Sequence, residues 1–140
     1  MSKIAVVFWS GSGNTEAMAQ AVLEGAVENG AQAELFNCVD FSESLMDNFD
    51  SVAFGCPSMG AEELEDTEFA PMYEACRAKL SGKKIALFGS YGWGDGEWMR
   101  NWDEQAKADG AEVVCDYVIC NEYPDEQGLS ACKNLGAALV

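Results

Sequence analysis

Histidine is absent from this chain and cations are scarce: 8 Lys and Arg stand against 24 Asp and Glu, for a formal net charge of -16. Without imidazole the chain lacks the commonest metal ligand and the commonest partner of a reactive thiol. Its cysteines, Cys38, Cys56, Cys76, Cys115, Cys120 and Cys132, include no Cys-x-x-Cys pair. That spacing argues against structural zinc and for reduced thiols serving as small core residues. The shortage of cations excludes a nucleic-acid partner, whose phosphate backbone requires a basic face, and favours basic protein surfaces instead. No apolar run approaches the roughly 18 residues that span a bilayer, so no membrane partner is expected. Met1-Ser2-Lys3 leads into apolar sequence without a signal-peptide pattern, which predicts a cytoplasmic protein.

What is present fits one domain over residues 1–140. The chain is 49% hydrophobic, long enough for a full core and too apolar for disorder. Strand signals at 3–9, 33–37, 51–55, 84–89 and 112–120 alternate with helix signals at 15–29, 42–49, 66–80, 96–108 and 125–139. This is the pattern of an α/β doubly wound fold with a parallel sheet. Ligands of such sheets bind beyond the carboxyl ends of the strands, where the strand order reverses. The loops there are 10–15, 56–65, 90–96 and 121–125.

The first loop, Ser10-Gly11-Ser12-Gly13-Asn14-Thr15, joins a strand to a helix. Backbone N–H groups and hydroxyls at a helix start form an anion site. The loop has no Lys for an NTPase P-loop, Glu16 where a dinucleotide motif has its third glycine, and no thiolate with Arg for a phosphatase. A plain tight turn remains the alternative to a monophosphate site. In the second loop, Met59 beside Gly60 is either a contact for a flat ring or a packing residue. The third loop, Ser90-Tyr91-Gly92-Trp93-Gly94-Asp95-Gly96, threads two aromatics through three glycines, which suits close backbone approach and ring stacking. Trp98 and Trp102, four apart on a helix, read as packing residues, and Trp9 as core. A cationless phosphate cradle with Met59 and Trp93 at the same sheet edge fits flavin mononucleotide (FMN).

The segments SGSGNTEAMA at 10–19, GCPSMGAEELED at 55–66 and GKKIALFGSYGWGDGEWMR at 82–100 resemble the flavodoxins, specifically the short-chain flavodoxins of anaerobic bacteria, and the likeness covers essentially the whole chain. The resemblance implies a flavodoxin-like sandwich, with a five-stranded parallel sheet of order 2-1-3-4-5 and helices on both faces. It implies an electron-transfer protein, not an enzyme: a monomeric, low-potential one-electron carrier that shuttles non-covalent FMN between semiquinone and hydroquinone as a ferredoxin substitute. Basic-faced redox proteins such as pyruvate:ferredoxin oxidoreductase, hydrogenase or flavodoxin reductase are the implied partners.

By the same resemblance, Ser10, Gly11, Ser12, Gly13, Asn14 and Thr15 hold the phosphate. Met59 covers the inner ring face and Trp93 the outer, and Glu62 accepts from the ring N3–H. Ser58, Gly60 and Ala61 belong to the ring-contacting turn. The backbone of Ser90, Tyr91, Gly92, Trp93, Gly94 and Asp95 donates to the pyrimidine end, and residues 121–123 touch the flavin edge. Ser12 stands where Thr is usual, and Ala61 where a polar residue is frequent. A type II′ turn at 59–62 places positive φ on Gly60, whereas type II places it on Ala61. Ala61 is therefore expected to strain that turn or force a cis peptide, so that Ala61→Gly lowers the first potential. Glu62, Glu63, Glu65, Asp66, Glu68 and Asp95 are expected to form an acidic rim that depresses the second potential, or else simply to favour a helix N-terminus.

Two other classes fit less well. A receiver-like signalling domain needs paired acids after the first strand, where Trp9-Ser10 stands, and an acceptor Asp after the third, where Cys56-Pro57 stands. A small FMN-dependent reductase needs a basic cluster for pyridine-nucleotide phosphates.

Overall fold

Strand β1 (Lys3–Phe8) is apolar on both faces, and in the computed structural model, which describes residues 2–140, it lies inside a parallel sheet. The elements follow as α1 (Asn14–Glu28), β2 (Gln32–Asn37), β3 (Ser51–Gly55), α2 (Phe69–Cys76), β4 (Lys84–Tyr91), α3 (Glu97–Ala108), β5 (Glu112–Val113), β6 (Val118–Asn121) and α4 (Glu126–Ala138). The strand order is β2-β1-β3-β4-β5, with β6 also paired to β4, so the order reverses between β1 and β3. The loops after those two strands therefore part and leave a crevice.

Successive residues of a strand face opposite layers. Ala5, Val7, Val52, Phe54, Ile85 and Leu87 meet Phe69, Tyr73, Trp98 and Trp102 of α2 and α3. Ile4, Val6, Phe8, Ala53, Ala86 and Phe88 meet Met18 and Val22 of α1 and Cys132 and Leu135 of α4. Trp98 and Trp102 are core residues as the sequence predicts. Helices α1 and α4 touch backbone to backbone, because a Cβ on Gly25 would collide with the Lys133 carbonyl and one on Gly136 with the Val22 carbonyl. All six cysteines are free, and only Cys115 is more than marginally exposed.

The structure departs from the sequence reading at several elements, among them the end of the helix read over 66–80, which stops at Cys76 and passes into a 3₁₀ turn, Arg77–Lys79. The predicted fifth strand, 112–120, is two strands: Lys84↔Glu112 and Ile85↔Val113 pair, then Phe88↔Val118, so Ala86 and Leu87 of β4 lie opposite the four residues 114–117. Pairing with β6 carries β4 two residues past its predicted end at Gly89, to Tyr91. The helix predicted from Asp66 starts at Phe69, because the Glu65 carboxylate takes the N–H groups of Thr67 (2.9 Å), Glu68 (2.7 Å) and Phe69 (2.8 Å) and holds 65–68 as a cap. Residues 42–49, read as a weak helix, hold the 3₁₀ turn Glu43–Asn48.

Candidate functional site

The first loop is organised by its own side chains. Ser10 Oγ accepts from Gly13 N at 3.0 Å and Ser12 Oγ from Asn14 N at 3.4 Å. Gly13 turns the chain into α1 at φ 95, a left-handed conformation open to glycine, and α1 has no side-chain cap. The N–H groups of the first helical turn thus have no intrahelical acceptor, and the helix dipole adds positive potential there. Thr15 Oγ1 and Ser90 Oγ share a buried hydrogen bond of 2.7 Å that pins this loop to the end of β4.

The second loop is a tight hairpin. Met59 and Glu63 exchange two backbone hydrogen bonds of 2.8 Å around the tip 60–62. Positive φ falls on Gly60 (55°) and Glu62 (53°), and among the described residues no peptide is cis. Gly60 has the sign expected of a type II′ turn. Ala61 does not carry the strain that the sequence reading placed on it; the extra positive φ sits on Glu62, which closes a three-residue tip instead of a two-residue one. The Glu62 carboxylate accepts from Trp98 N at 3.3 Å, at the start of α3, and presses against Gly94, where any Cβ would collide with it.

The base of this hairpin is anchored by buried groups. Ser58 N donates to the Ser90 carbonyl at 2.9 Å, and Glu65 N donates to Cys56 Sγ at 3.3 Å. Burial pushes the Glu65 carboxyl up, but its hydrogen bonds from Thr67, Phe69 and Glu68 outweigh burial and hold it below the usual carboxylate range. Burial raises the Cys56 thiol, which is inert as a nucleophile. Glu65 is therefore a structural cap and not part of the solvated rim to which the sequence reading assigned it.

The third loop exposes its tryptophan: Trp93 is 53% accessible, and its Nε1–H donates to the Gly60 carbonyl at 3.3 Å. Asp95 is engaged by Arg100, which also donates to the Asp95 carbonyl at 3.0 Å. Beyond β6, Glu122 N donates to the Tyr91 carbonyl at 2.7 Å, with Glu122 itself at φ 57.

These loops enclose a cavity of about 560 Å³, a size usual for cofactor sites. Of the residues selected from sequence, Gly11, Ser12, Asn14, Ser58, Met59, Ser90, Tyr91, Gly92 and Trp93 line it. Ser10, Gly13 and Thr15 stand behind the wall as the hydrogen bonds above describe. Gly60, Ala61, Glu62, Gly94 and Asp95 do not line it, and shape or brace the two flanking loops. Glu122 and Tyr123 line it, in the loop 121–125 that sheet topology placed at the site and whose residues 121–123 were expected at the flavin edge. Two lining residues were missed, Trp9 and Pro57. Trp9 was read as core; it is half-buried, donates Nε1–H to Glu68 Oε1 at 2.8 Å and packs on Gly11. Its position at the carboxyl end of β1, beside the strand-order reversal, was the available signal.

Two observations bear on what this cavity suits. No lining residue is Lys or Arg, so an anion there is held by N–H groups and hydroxyls alone. Ser58 Oγ is buried, lies in the wall and has no protein partner; an unmet buried hydroxyl costs about 1–3 kcal/mol, which a polar ligand relieves. Both suit a phosphorylated, polar-edged aromatic cofactor such as FMN.

The sequence pattern of the Flavodoxin family matches residues 6–136. Flavodoxin of Clostridium beijerinckii is 46% identical over 121 residues, which cover 86% of this chain and 88% of that one. Flavodoxin of Megasphaera elsdenii is 42% identical over 135 residues, 96% of each chain. The fold is similar to the solution structure of two-electron reduced Megasphaera elsdenii flavodoxin, with a TM-score of 0.90 at 43% identity over 97% of both chains. It is similar also to a flavodoxin from the domain Archaea, with a TM-score of 0.83 at 26% identity over 98% of this chain and 95% of that one.

Proposed function

Since the chain belongs to the flavodoxin family, and is on that account an FMN-binding electron-transfer protein and not an enzyme, we propose that it is a low-potential one-electron carrier that works as a single-domain monomer in the cytoplasm. It stands in for a ferredoxin between basic-faced redox enzymes, of which pyruvate:ferredoxin oxidoreductase, hydrogenase and flavodoxin reductase are the candidates. When bound, FMN supplies a ring that accepts and releases single electrons. The observation that carries the reading is the cationless, uncapped start of α1 at a cavity lined by both Met59 and Trp93.

In this reading the loop 10–15 receives the phosphate: N–H groups and the hydroxyls of Ser10, Ser12 and Thr15 bind it without neutralising it. Ser58 offers its unmet hydroxyl. Met59 and Trp93 cover the two ring faces and exclude water. Glu62, braced on the start of α3, and the backbone of 90–95 receive the polar edge of the ring. Gly60 and Ala61 form the turn tip that can re-orient a carbonyl toward the ring. The chain then governs potential through charge. The phosphate keeps its charge, and Glu62, Glu63, Asp66, Glu68 and Asp95 add more, each worth roughly 0.4 kcal/mol at about 10 Å in water. An electron taken up together with a proton leaves the charge of the site unchanged, whereas one taken up alone adds a negative charge against this field, so a second electron that arrives without a proton enters at lower potential than the first.

An anaerobic redox titration of FMN-loaded protein tests this. Two resolved one-electron waves are expected, the second well below the first. A single two-electron wave, or a chain that takes up no FMN, overturns the proposal.

A further inference from the structure

Trp9 joins the first loop to the start of α2. Its backbone N–H donates to the Gly55 carbonyl at 3.1 Å, which carries the pairing of β1 with β3 one residue further, and its side chain lines the cavity. The indole Nε1–H donates to Glu68 Oε1 at 2.8 Å. Glu68 is fixed in turn: it stands just before α2, and its own N–H donates to Glu65 Oε1 at 2.7 Å. The far end of the indole lies against Gly11, where a Cβ would stand 3.0 Å from Trp9 Cη2 and 3.3 Å from Cζ3. A continuous path thus runs from the cap of α2, through Glu68 and the indole, to the loop 10–15.

We propose that Trp9 is a positioning residue: latched to Glu68, its ring backs Gly11 and sets the loop 10–15 for a phosphate, so that the chain prefers the phosphorylated flavin to its unphosphorylated counterpart, riboflavin. Gly11 is the position that needs such backing. Side-chain hydrogen bonds engage Ser10, Ser12, Gly13, Asn14 and Thr15, and Gly11 enters none of them. Lacking a Cβ, it has wide backbone freedom unless something holds it. The indole does so only while its own torsions are fixed. Its N–H is held at one end and Gly11 rests on the other, so the ring cannot swing without breaking a contact. A bond from N–H to carboxylate is charge-assisted and stronger than a neutral one.

The link to the cofactor rests on the FMN site proposed above. No Lys or Arg lines the cavity, so a phosphate there depends on N–H groups already aimed at it, and any ordering left to the moment of binding weakens affinity. Glu68 then acts on the phosphate in two opposed ways. Its charge repels the anion, while its oxygen holds the indole that steadies the loop. Glu68→Gln and Glu68→Leu separate the two, because both remove the charge and only Gln keeps an acceptor for the indole N–H.

The test titrates the FMN-free full chain with FMN and, separately, with riboflavin. The FMN Kd of Glu68→Leu is expected to be about fivefold above that of Glu68→Gln, as for the loss of one hydrogen bond, with the riboflavin Kd the same in both. In a Trp9→Phe background, which has no indole N–H, the two Glu68 variants are expected to bind FMN equally. Equal FMN Kd values with Trp9 intact, a riboflavin Kd that rises in step with that of FMN, or a difference that persists in Trp9→Phe overturns the proposal. The Glu68 pair with Trp9 intact decides it alone if Trp9→Phe does not fold. A wild-type chain that takes up no FMN sinks the carrier reading, and the Gly11 amide signal of the FMN-free protein in heteronuclear NMR then decides the latch. Glu68→Leu is expected to shift and broaden that signal and Glu68→Gln to leave it in place; one and the same signal in both overturns the latch.

Discussion

Replacing Glu65 by Gln removes half of a buried cap while leaving its shape. Glu65 Oε1 receives the N–H groups of Glu68 and Phe69, and Oε2 those of Thr67 and its hydroxyl. A Gln carbonyl can replace Oε1, but its amide then faces the Thr67 N–H, donor against donor. Hydrogen bonds to a buried charge contribute about 1.5–3 kcal/mol each and do not add fully, so the expected loss is about 2–3 kcal/mol. Urea unfolding at neutral pH measures it. The loss should also depend on pH in a stated direction. The Glu65 carboxyl is held below its ordinary range, so its contribution is complete above the unfolded-state value near pH 4, within about half a unit, and fades as pH falls through the folded-state value. The stability gap between wild type and Glu65→Gln should therefore narrow in acid. A gap below about 0.5 kcal/mol at neutral pH, or one that stays constant down to acid, refutes the capping role.

Ser58→Ala removes a buried hydroxyl that has no protein partner. The FMN-free protein should be no less stable in urea, while FMN titration should show affinity reduced by about tenfold, or ~1.4 kcal/mol. Ala61→Gly, at a position without positive φ, should lower stability by about 0.4–1 kcal/mol through unfolded-chain entropy. It should leave the first potential within a few millivolts, because no strain at Ala61 is there to relieve. Gly136→Ala pushes a methyl into the Val22 carbonyl; thermal unfolding should register a loss of about 1–3 kcal/mol from separating α1 and α4.

The parts of this protein legible in its sequence are those whose signals are local. The apolar run 4–8, the glycine and hydroxyl loop behind it and the helix that follows all write their conformation in adjacent residues, and the structure holds them as read. The aromatic and glycine turn at 92–96 was legible for the same reason, whereas Ser90 and Tyr91, read as loop, belong to β4. The errors share a different origin. Where the edge strand breaks at 114–117 is decided by its register against β4, two residues facing four, and nothing within 112–120 announces that. The late start of α2 depends on the Glu65 carboxylate turning forward onto Thr67, Glu68 and Phe69, although its composition is good helix sequence. Trp9 was misplaced because a bulky apolar side chain reads as core whether it closes a layer or walls a cavity. The shape of the 59–63 turn came from a cross-turn pair, Met59 with Glu63, where two-residue turn chemistry had suggested strain.

The hydroxyl contact between Thr15 and Ser90 has a consequence for how the cavity answers to change. It fastens the start of α1 to the end of β4 through two side chains, so a substitution that removes either hydroxyl unfastens both walls together.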